Sequence, residues 1–362
     1  MFEKSNQTSL NKNKDVVLLI KGLIIGKVLT LLVIGGLLWW LKPQLWSSAT
    51  ATNQTSENPV ATTNGSTYDR TTGVPSGTFN YGGSAAWIPI RQVVDAQIQQ
   101  ARPELQLRYI QPPNGNLSSS VGIQMLLDGK LDFAHSSRPL TAAEKALAQK
   151  QGLTLAEIPI AMDGIAAVVH PSLQISGLTV EQLQQIYQGK ITNWSQLGGE
   201  NLPIVPYTRH FQDGSPVAIF STSEQAFGTN VRSVNSTTAA LRLVNQTPGA
   251  IYYASARAVV HQCGVKPIPL GENSDRFVAP YREPLSQSCP NQRHQPNLAA
   301  FADGSYPLTR NLYAIVKQDG GRAQQAGEAY TKLLLSDQGQ QAIRQAGFVQ
   351  AAASTTQNKP TN

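Results

Sequence analysis

From Thr78 to about Gln350 the chain alternates short apolar runs with amphipathic runs. No other feature restricts the fold as much, because such alternation places helices on the faces of a sheet. "TFNYGG" reads as a strand and turn, and "AAWIPIRQVVDAQIQQA" as a helix with Ile90, Val93, Val94 and Ile98 on one face. "LQLRYI" is strand-like and stops at Pro112 and Pro113, while "SSSVGIQMLLDG" is a short helix between serine caps and a glycine. "LDFAHSS" is the next strand, and "TAAEKALAQKQG" a helix with Thr141 and Glu144 at capping-box spacing. "LAEIPIA" and "GIAAVVH" read as two further strands. The βαβαβ order predicts a mostly parallel sheet. Beyond it come helices at "TVEQLQQIYQG", "PVAIFSTSEQAFG" and "TTAALRLVNQ", strands at "PIVPYT", "GAIYYA" and "RNLYAIVK", a loop over Gly271–Asp303, and helices across Arg322–Gly347.

About 270 residues exceed one comfortable α/β core, so two lobes with a cleft between them are expected. In open α/β sheets ligands bind where strand ends meet helix starts. Four such corners are rich in glycine and hydroxyl residues: "YGGSAAW" (Tyr81–Trp87), "NGNLSSSVG" (Asn114–Gly122), "AHSSRPL" (Ala134–Leu140) and "RHFQDGSPV" (Arg209–Val217). Each can turn backbone N–H groups and a serine hydroxyl toward an anion. Taken singly, such a corner reads as an ordinary serine N-cap, and Arg138 or Arg209 as a surface arginine. Four together, on both sides of a two-lobe break, read as an anion cleft.

The net charge of +7 does not mark a nucleic-acid binder. Residues 1–42 hold six lysines against Glu3 and Asp15, leaving only +3 over the rest of the chain. No basic stripe with interleaved aromatics follows. Lys4, Lys12 and Lys14 precede, and Lys21, Lys27 and Lys42 lie within, "VVLLIKGLIIGKVLTLLVIGGLLWWLK", residues 16–42, whose uninterrupted part is Val28–Leu41. With Lys21 and Lys27 snorkelling, Leu18–Leu41 reaches across a bilayer and puts Trp39, Trp40 and Trp46 at the far interface. The positive-inside rule then leaves residues 1–15 in the cytoplasm and the bulk of the chain outside, in the periplasm. "ATA" at Ala49–Ala51 offers a cleavage site, so an anchor and a released signal segment are both open. Residues 43–77 are Ser/Thr/Asn-rich and read as a flexible tether; residues 351–362 read as a polar tail. Cys263 and Cys289, an even pair in the exported part, are expected to form a disulfide.

The motifs resemble a known family. "LLDGKLDFAHSSRPL" (Leu126–Leu140), "IYQGKITNWSQLGG" (Ile186–Gly199), "YPLTRNLYAIV" (Tyr306–Val316) and, more weakly, "GAIYYAS" (Gly249–Ser255) are similar, in this order, to the phosphate-binding, PstS-like branch of the periplasmic solute-binding proteins that serve ABC transporters. The resemblance implies a type II fold: two α/β lobes with mixed sheets, joined by crossing strands and closing on the ligand by a hinge. Lobe 1 would comprise 78–165 and 306–350, with the final strand Asn311–Lys317 returning to it, and lobe 2 would comprise 166–305. It also implies a binding protein without cofactor or metal, a monomer that takes inorganic phosphate or a related oxyanion to an ABC permease.

Carried over by position, the family's first loop falls on Gly83, Ser84 and Ala85, and its second-corner serine on Ser119. The third corner, where the family often has a carboxylate that accepts from a protonated oxyanion, has Ser137 followed by Arg138. In the far lobe Arg209 and Ser215 match the family's Arg and Ser with two extra residues between them, and Pro216 and Val217 replace a glycine and a threonine. Pro216 removes an N–H and Val217 a hydroxyl. Each lost charged hydrogen bond weakens binding by roughly 1.5–3 kcal/mol. A second reading is therefore a tethered sensor or scaffold of the same fold with lost or altered anion specificity. An enzyme is not indicated: there is no His-Ser-Asp motif and no zinc-ligand spacing, and the five histidines are scattered.

Overall fold

The computed structural model describes residues 67–113, 115–209, 227–282 and 294–351. The apolar segment 16–42, residues 43–66 of the expected tether, the expected helix at "PVAIFSTSEQAFG" up to residue 226, Ser215 and Cys289 lie outside the described residues. The described end of that tether, 67–77, is packed onto the first half instead, with Tyr68 fully buried and Arg102 donating to the Tyr68 and Thr71 carbonyls. Among the described residues no helix is long and apolar enough to cross a membrane.

The first half opens with β1 (Gly77–Gly83), α1 (Ile88–Ala101), β2 (Leu105–Tyr109), α2 (Ser119–Leu127), β3 (Phe133–Ser136) and α3 (Ala142–Lys150). Strand β4 (Leu155–Val169) leads out of it. The second half has β5 (Leu178–Thr179), α4 (Val180–Tyr187), β6 (Val205–Arg209), β7 (Arg232–Val234), α5 (Thr237–Gln246), β8 (Ala250–Ser255), α6 (Ala256–Val259), β9 (Lys266–Ile268), β10 (Leu270–Gly271) and α7 (Leu298–Ala302). Strand β11 (Thr309–Lys317) leads back, followed by α8 (Arg322–Leu335), α9 (Asp337–Gln345) and β12 (Val349–Gln350).

Local chemistry accounts for the helices. Ile90, Val94 and Ile98 of α1 are fully buried, and Trp87 extends the same stripe one turn earlier. Each such side chain contributes roughly 1.5–3 kcal/mol by leaving water. The capping box at α3 forms: the Thr141 hydroxyl accepts from the Glu144 amide at 3.2 Å, and the Glu144 carboxylate accepts from the Thr141 amide at 2.8 Å. Thr179 and Gln182 make a second capping box at α4.

Among the described residues the main sheet runs β2-β1-β3-β11-β4-β8-β6-β7, with β12 and β9 also paired to β4. It is mixed rather than mostly parallel. Strands β2, β1 and β3 are parallel, and so are β8, β6 and β7. The two strands between these groups, β11 and β4, run antiparallel to each other. The two runs "LAEIPIA" and "GIAAVVH" prove to be the single strand β4. Its first part, up to Gly164, pairs with β11; its second part, from Ile165, pairs with β8 and β9.

That strand passes from one core to another. Ile160 and Ala161 pack with Phe79, Trp87, Leu312 and Tyr330, whereas Ile165 to Val169 pack with Tyr187, Trp194, Tyr252 and Leu308. A register shift precedes the handover: Leu312 faces Ala161 but Tyr313 faces Pro159, so Ile160 is the extra residue of a bulge. Pro159 lacks an N–H to donate, which suits an irregular ladder position. Strand β11 also pairs with β3, so the chain returns to the sheet it left.

Candidate functional site

Three corners of the first half meet at Ser137. Strand β1 ends in Gly83 at φ 127°, and a Cβ there would lie 2.2 Å from the His135 carbonyl oxygen. A Cβ on Gly122 would lie 2.5 Å from the Gly83 Cα, so α2 reaches this corner only because residue 122 is glycine. The contact places three buried serines together. Ser84 Oγ donates to Ser137 Oγ at 3.0 Å, and Ser137 N–H donates to Ser119 Oγ at 3.0 Å. The Ser119 and Ser137 hydroxyls are 3.3 Å apart.

An aromatic layer backs this corner. The Trp87 ring stacks on His135 with centroids 3.9 Å apart, and its Nε1 donates to the Ser136 carbonyl at 3.0 Å. Burial, helped by the positive charge of Arg91, pushes the His135 pKa well down. The layer therefore holds the serine corner without adding a cation at neutral pH.

Backbone donors are fewer than the sequence implies. The Ser84 amide donates to the His135 carbonyl at 3.0 Å, and the Ala85 amide to the Leu117 carbonyl at 3.0 Å. The Ser84 hydroxyl also accepts from the Ala86 amide at 3.3 Å. Hydroxyls and the first turn of α2, rather than the first-loop amides, are what this corner offers.

A cavity of about 210 Å³ opens at the corner and takes its walls from both halves. Ser84, Ala85, Leu117 and Ser137 line one side; Thr208, Arg209, Thr237, Tyr252, Tyr253 and Arg257 line the other. Arg209 is the exposed last residue of β6. The opposite wall is braced by hydroxyl pairs: Thr208 Oγ1 and the Tyr253 phenol are 3.1 Å apart, as are Thr237 Oγ1 and the Tyr252 phenol.

At the floor, where β4 and β11 cross, Asp163 is 1% exposed. It accepts from Ser255 Oγ at 2.6 Å, from Arg310 Nε at 3.1 Å and from Arg310 Nη2 at 2.9 Å. Arg310 also lines the cavity, but its charge is offset by Asp163.

Of the residues expected from sequence, Ser84, Ala85, Ser137 and Arg209 line this cavity, with Ser119 and Gly83 directly behind them. Arg138 is not brought in. Its guanidinium forks onto Glu144, with Nη1 and Nη2 each 2.8 Å from a carboxylate oxygen, and Nη2 also donates to Ser120 Oγ at 2.8 Å. Burial opposes ionisation of Glu144, but Arg138 and the Thr141 cap together hold its carboxyl below the usual range. Ser215 lies outside the described residues. Thr208, Thr237, Tyr252, Tyr253, Arg257 and Arg310 are not singled out by the sequence, where Thr208, Tyr252, Tyr253 and Arg310 read as strand positions and Thr237 as the start of a helix. The adjacent tyrosines of "GAIYYAS" are the trace that pointed there.

A family model for the PBP superfamily domain matches residues 54–338, most of the chain. The chain belongs to the PBP superfamily. Its relatives within and around that superfamily are distant. Protein SphX of Synechococcus elongatus is 27% identical over 139 residues, which is 37% of this chain and only 40% of SphX. The phosphate-binding protein PstS of Staphylococcus saprophyticus is 24% identical over 242 residues, 65% of this chain and 70% of that protein. The crystal structure of an ABC-type phosphate transport receptor from Vibrio cholerae is 26% identical and matches with a TM-score of 0.58 over 76% of this chain and 100% of that one. The PBP superfamily fold, an α/β mixed sheet curled around a cavity, is thus shared along the described chain.

Proposed function

We propose that this chain is an extracytoplasmic solute-binding protein that captures inorganic phosphate or a similar oxyanion and delivers it to an ABC transporter permease. One observation carries the reading: a single cavity is lined by Ser84 and Ser137, backed by the buried Ser119 hydroxyl, from one half and by Arg209 from the other. Hydroxyls can point donors at oxyanion oxygens, and a guanidinium adds charge-assisted bonds. The PstS relative and the Vibrio cholerae receptor, both named for phosphate, support the same ligand class.

In this reading Gly83, Ser84, Ala85, Ser119 and Ser137 form the near half of the site, and Arg209 and Ser215 the far half. Arg138 acts as a brace through Glu144. The lobes are 78–165 with 306–350, and 166–305, and they close about the β4–β11 crossing. Residues 16–42 anchor the chain in the membrane with 1–15 in the cytoplasm, residues 43–66 tether a monomeric receptor near its permease, and Cys263 pairs with Cys289.

A thermal-shift titration tests the reading. Phosphate, sulfate and arsenate are titrated against the purified chain and its Arg209→Ala variant. A bound ligand at about 100 times its Kd stabilises the native state by about 2.7 kcal/mol. The wild type should shift with at least one of these anions and the variant should not. No shift with any of them at millimolar concentration rejects the oxyanion reading.

A further inference from the structure

The cavity holds a second arginine that the serine–Arg209 clamp does not use. Arg257, in α6, lines the same cavity as Arg209. Its Nε donates to the Ala346 carbonyl at 2.7 Å, and its guanidinium lies 5.6 Å from the centre of the Phe348 ring. Both contacts hold the side chain from the C-terminal segment. Neither Nη carries a hydrogen bond among the described residues. The nearest acid acting on it is Asp163, whose oxygens are already engaged by Arg310 and Ser255. Burial lowers the Arg257 pKa even against the pull of Asp163. A fixed, partly desolvated guanidinium with its two ends unused is arranged to receive an anion.

The space argues for a ligand larger than one tetrahedral ion. The 210 Å³ open to the centre of a water is many times the about 10–15 Å³ that holds one. A tetrahedral oxyanion of about five heavy atoms leaves room beside it. Ala86, Pro89, Leu117 and Ala258 give the cavity apolar wall suited to a short carbon chain.

We propose that Arg257 is a second anion-holding side chain, so that the cavity takes a phosphoryl or phosphonyl group bearing a further acid group on a short chain. The serines and Arg209 hold the phosphorus oxyanion; Arg257 holds the other acid. This rests on the oxyanion reading above and names its ligand class more narrowly.

Isothermal titration of the full chain with inorganic phosphate, methylphosphonate and phosphonoacetate is the test, since the last differs from the second by one carboxylate. Wild type should bind phosphonoacetate about 10-fold or more tighter than methylphosphonate, the yield of one charge-assisted hydrogen bond. Arg257→Gln should reduce that ratio to within about 2-fold, with a much smaller loss of affinity for inorganic phosphate than for phosphonoacetate. Arg257→Lys, which keeps the charge, should retain part of the preference. The wild-type ratio reads the proposal even if a variant fails to fold. Phosphate bound but both phosphonates bound alike overturns the second-acid proposal and leaves the oxyanion reading standing. Equal loss of phosphate and phosphonoacetate in Arg257→Gln also overturns it, by placing Arg257 on the single oxyanion. If the wild type binds none of the three, the second-acid proposal falls, and the sulfate and arsenate arms of the thermal-shift titration decide the oxyanion reading.

Discussion

Replacing Arg310 by Met should destabilise the chain far more than replacing Arg310 and Asp163 together. The two residues face each other directly across the antiparallel β4–β11 pair. They lie where the strands pass from one core to the other, and Ser255 at the end of β8 completes the contact. The Asp163 side chain is 2% exposed and that of Arg310 14%. Two of the three hydrogen bonds to Asp163 come from Arg310. Arg310→Met therefore leaves a buried carboxylate supported by one hydroxyl, a defect that costs about 3–5 kcal/mol. Asp163→Asn with Arg310→Met removes both charges and keeps a polar group for Ser255, and neutral replacement of a buried pair is often without cost or stabilising by about 1–4 kcal/mol. Urea unfolding followed by circular dichroism measures both, with an unchanged m-value required so that midpoints report stability. A loss under about 1 kcal/mol in Arg310→Met would show the pair to be solvent-relieved. A double variant as unstable as the single one would show that the carboxylate is not what is left stranded.

Three further outcomes follow from named contacts. Gly83→Ala should cost at least about 1–3 kcal/mol in denaturant unfolding, because it strains a positive-φ corner against the His135 carbonyl; anion affinity should fall with it, and an unchanged affinity would separate the corner from the site. Asp95, beneath this corner and accepting from the Tyr81 phenol, has its pKa pushed up to about 6 by burial, against the opposing effects of Tyr81 and Arg91. A raised native value means stability is greatest below the unfolded pKa, near 4, and is lost as pH rises to about 6; the loss is about 3 kcal/mol, and Asp95→Asn should flatten that limb of a pH–stability curve. Glu144 has the opposite sign: its lowered native pKa gives stability present above pH of about 4 and lost below it. Glu144→Gln should remove that acid limb and destabilise at neutral pH by roughly 1–3 kcal/mol, since it leaves Arg138 with one charged partner fewer.

The helices were legible because their signals are local. Ile90, Val94 and Ile98 recur at helical spacing, and Thr141 and Glu144 are three residues apart, so no distant contact decides them. The crossing strand was not, because Asp163 and Gly164 interrupt its apolar run. What lets a charged residue stay inside β4 is Arg310, which is far away in sequence. The same non-local pairing makes β4 and β11 antiparallel, where alternation alone predicts parallel neighbours. Within the site, serines next to glycines announced the near corner. Thr208, Tyr252 and Tyr253 did not stand out, because a strand residue facing a cavity has the same one-dimensional pattern as one facing the core. Arg138 misled for a related reason: it stands next to Ser137 in the chain, but Glu144, one helical turn into α3, takes its guanidinium away from the cavity.

The central claim is a location: an oxyanion held between the serine corner and Arg209. Crystals soaked in arsenate and measured at the arsenic absorption edge test it directly. An anomalous peak is expected in the cavity, with arsenate oxygens at hydrogen-bonding distance, about 2.7–3.2 Å, from the Ser137 hydroxyl and the Arg209 guanidinium. An empty cavity at saturating arsenate, or a peak elsewhere on the molecule, would contradict it.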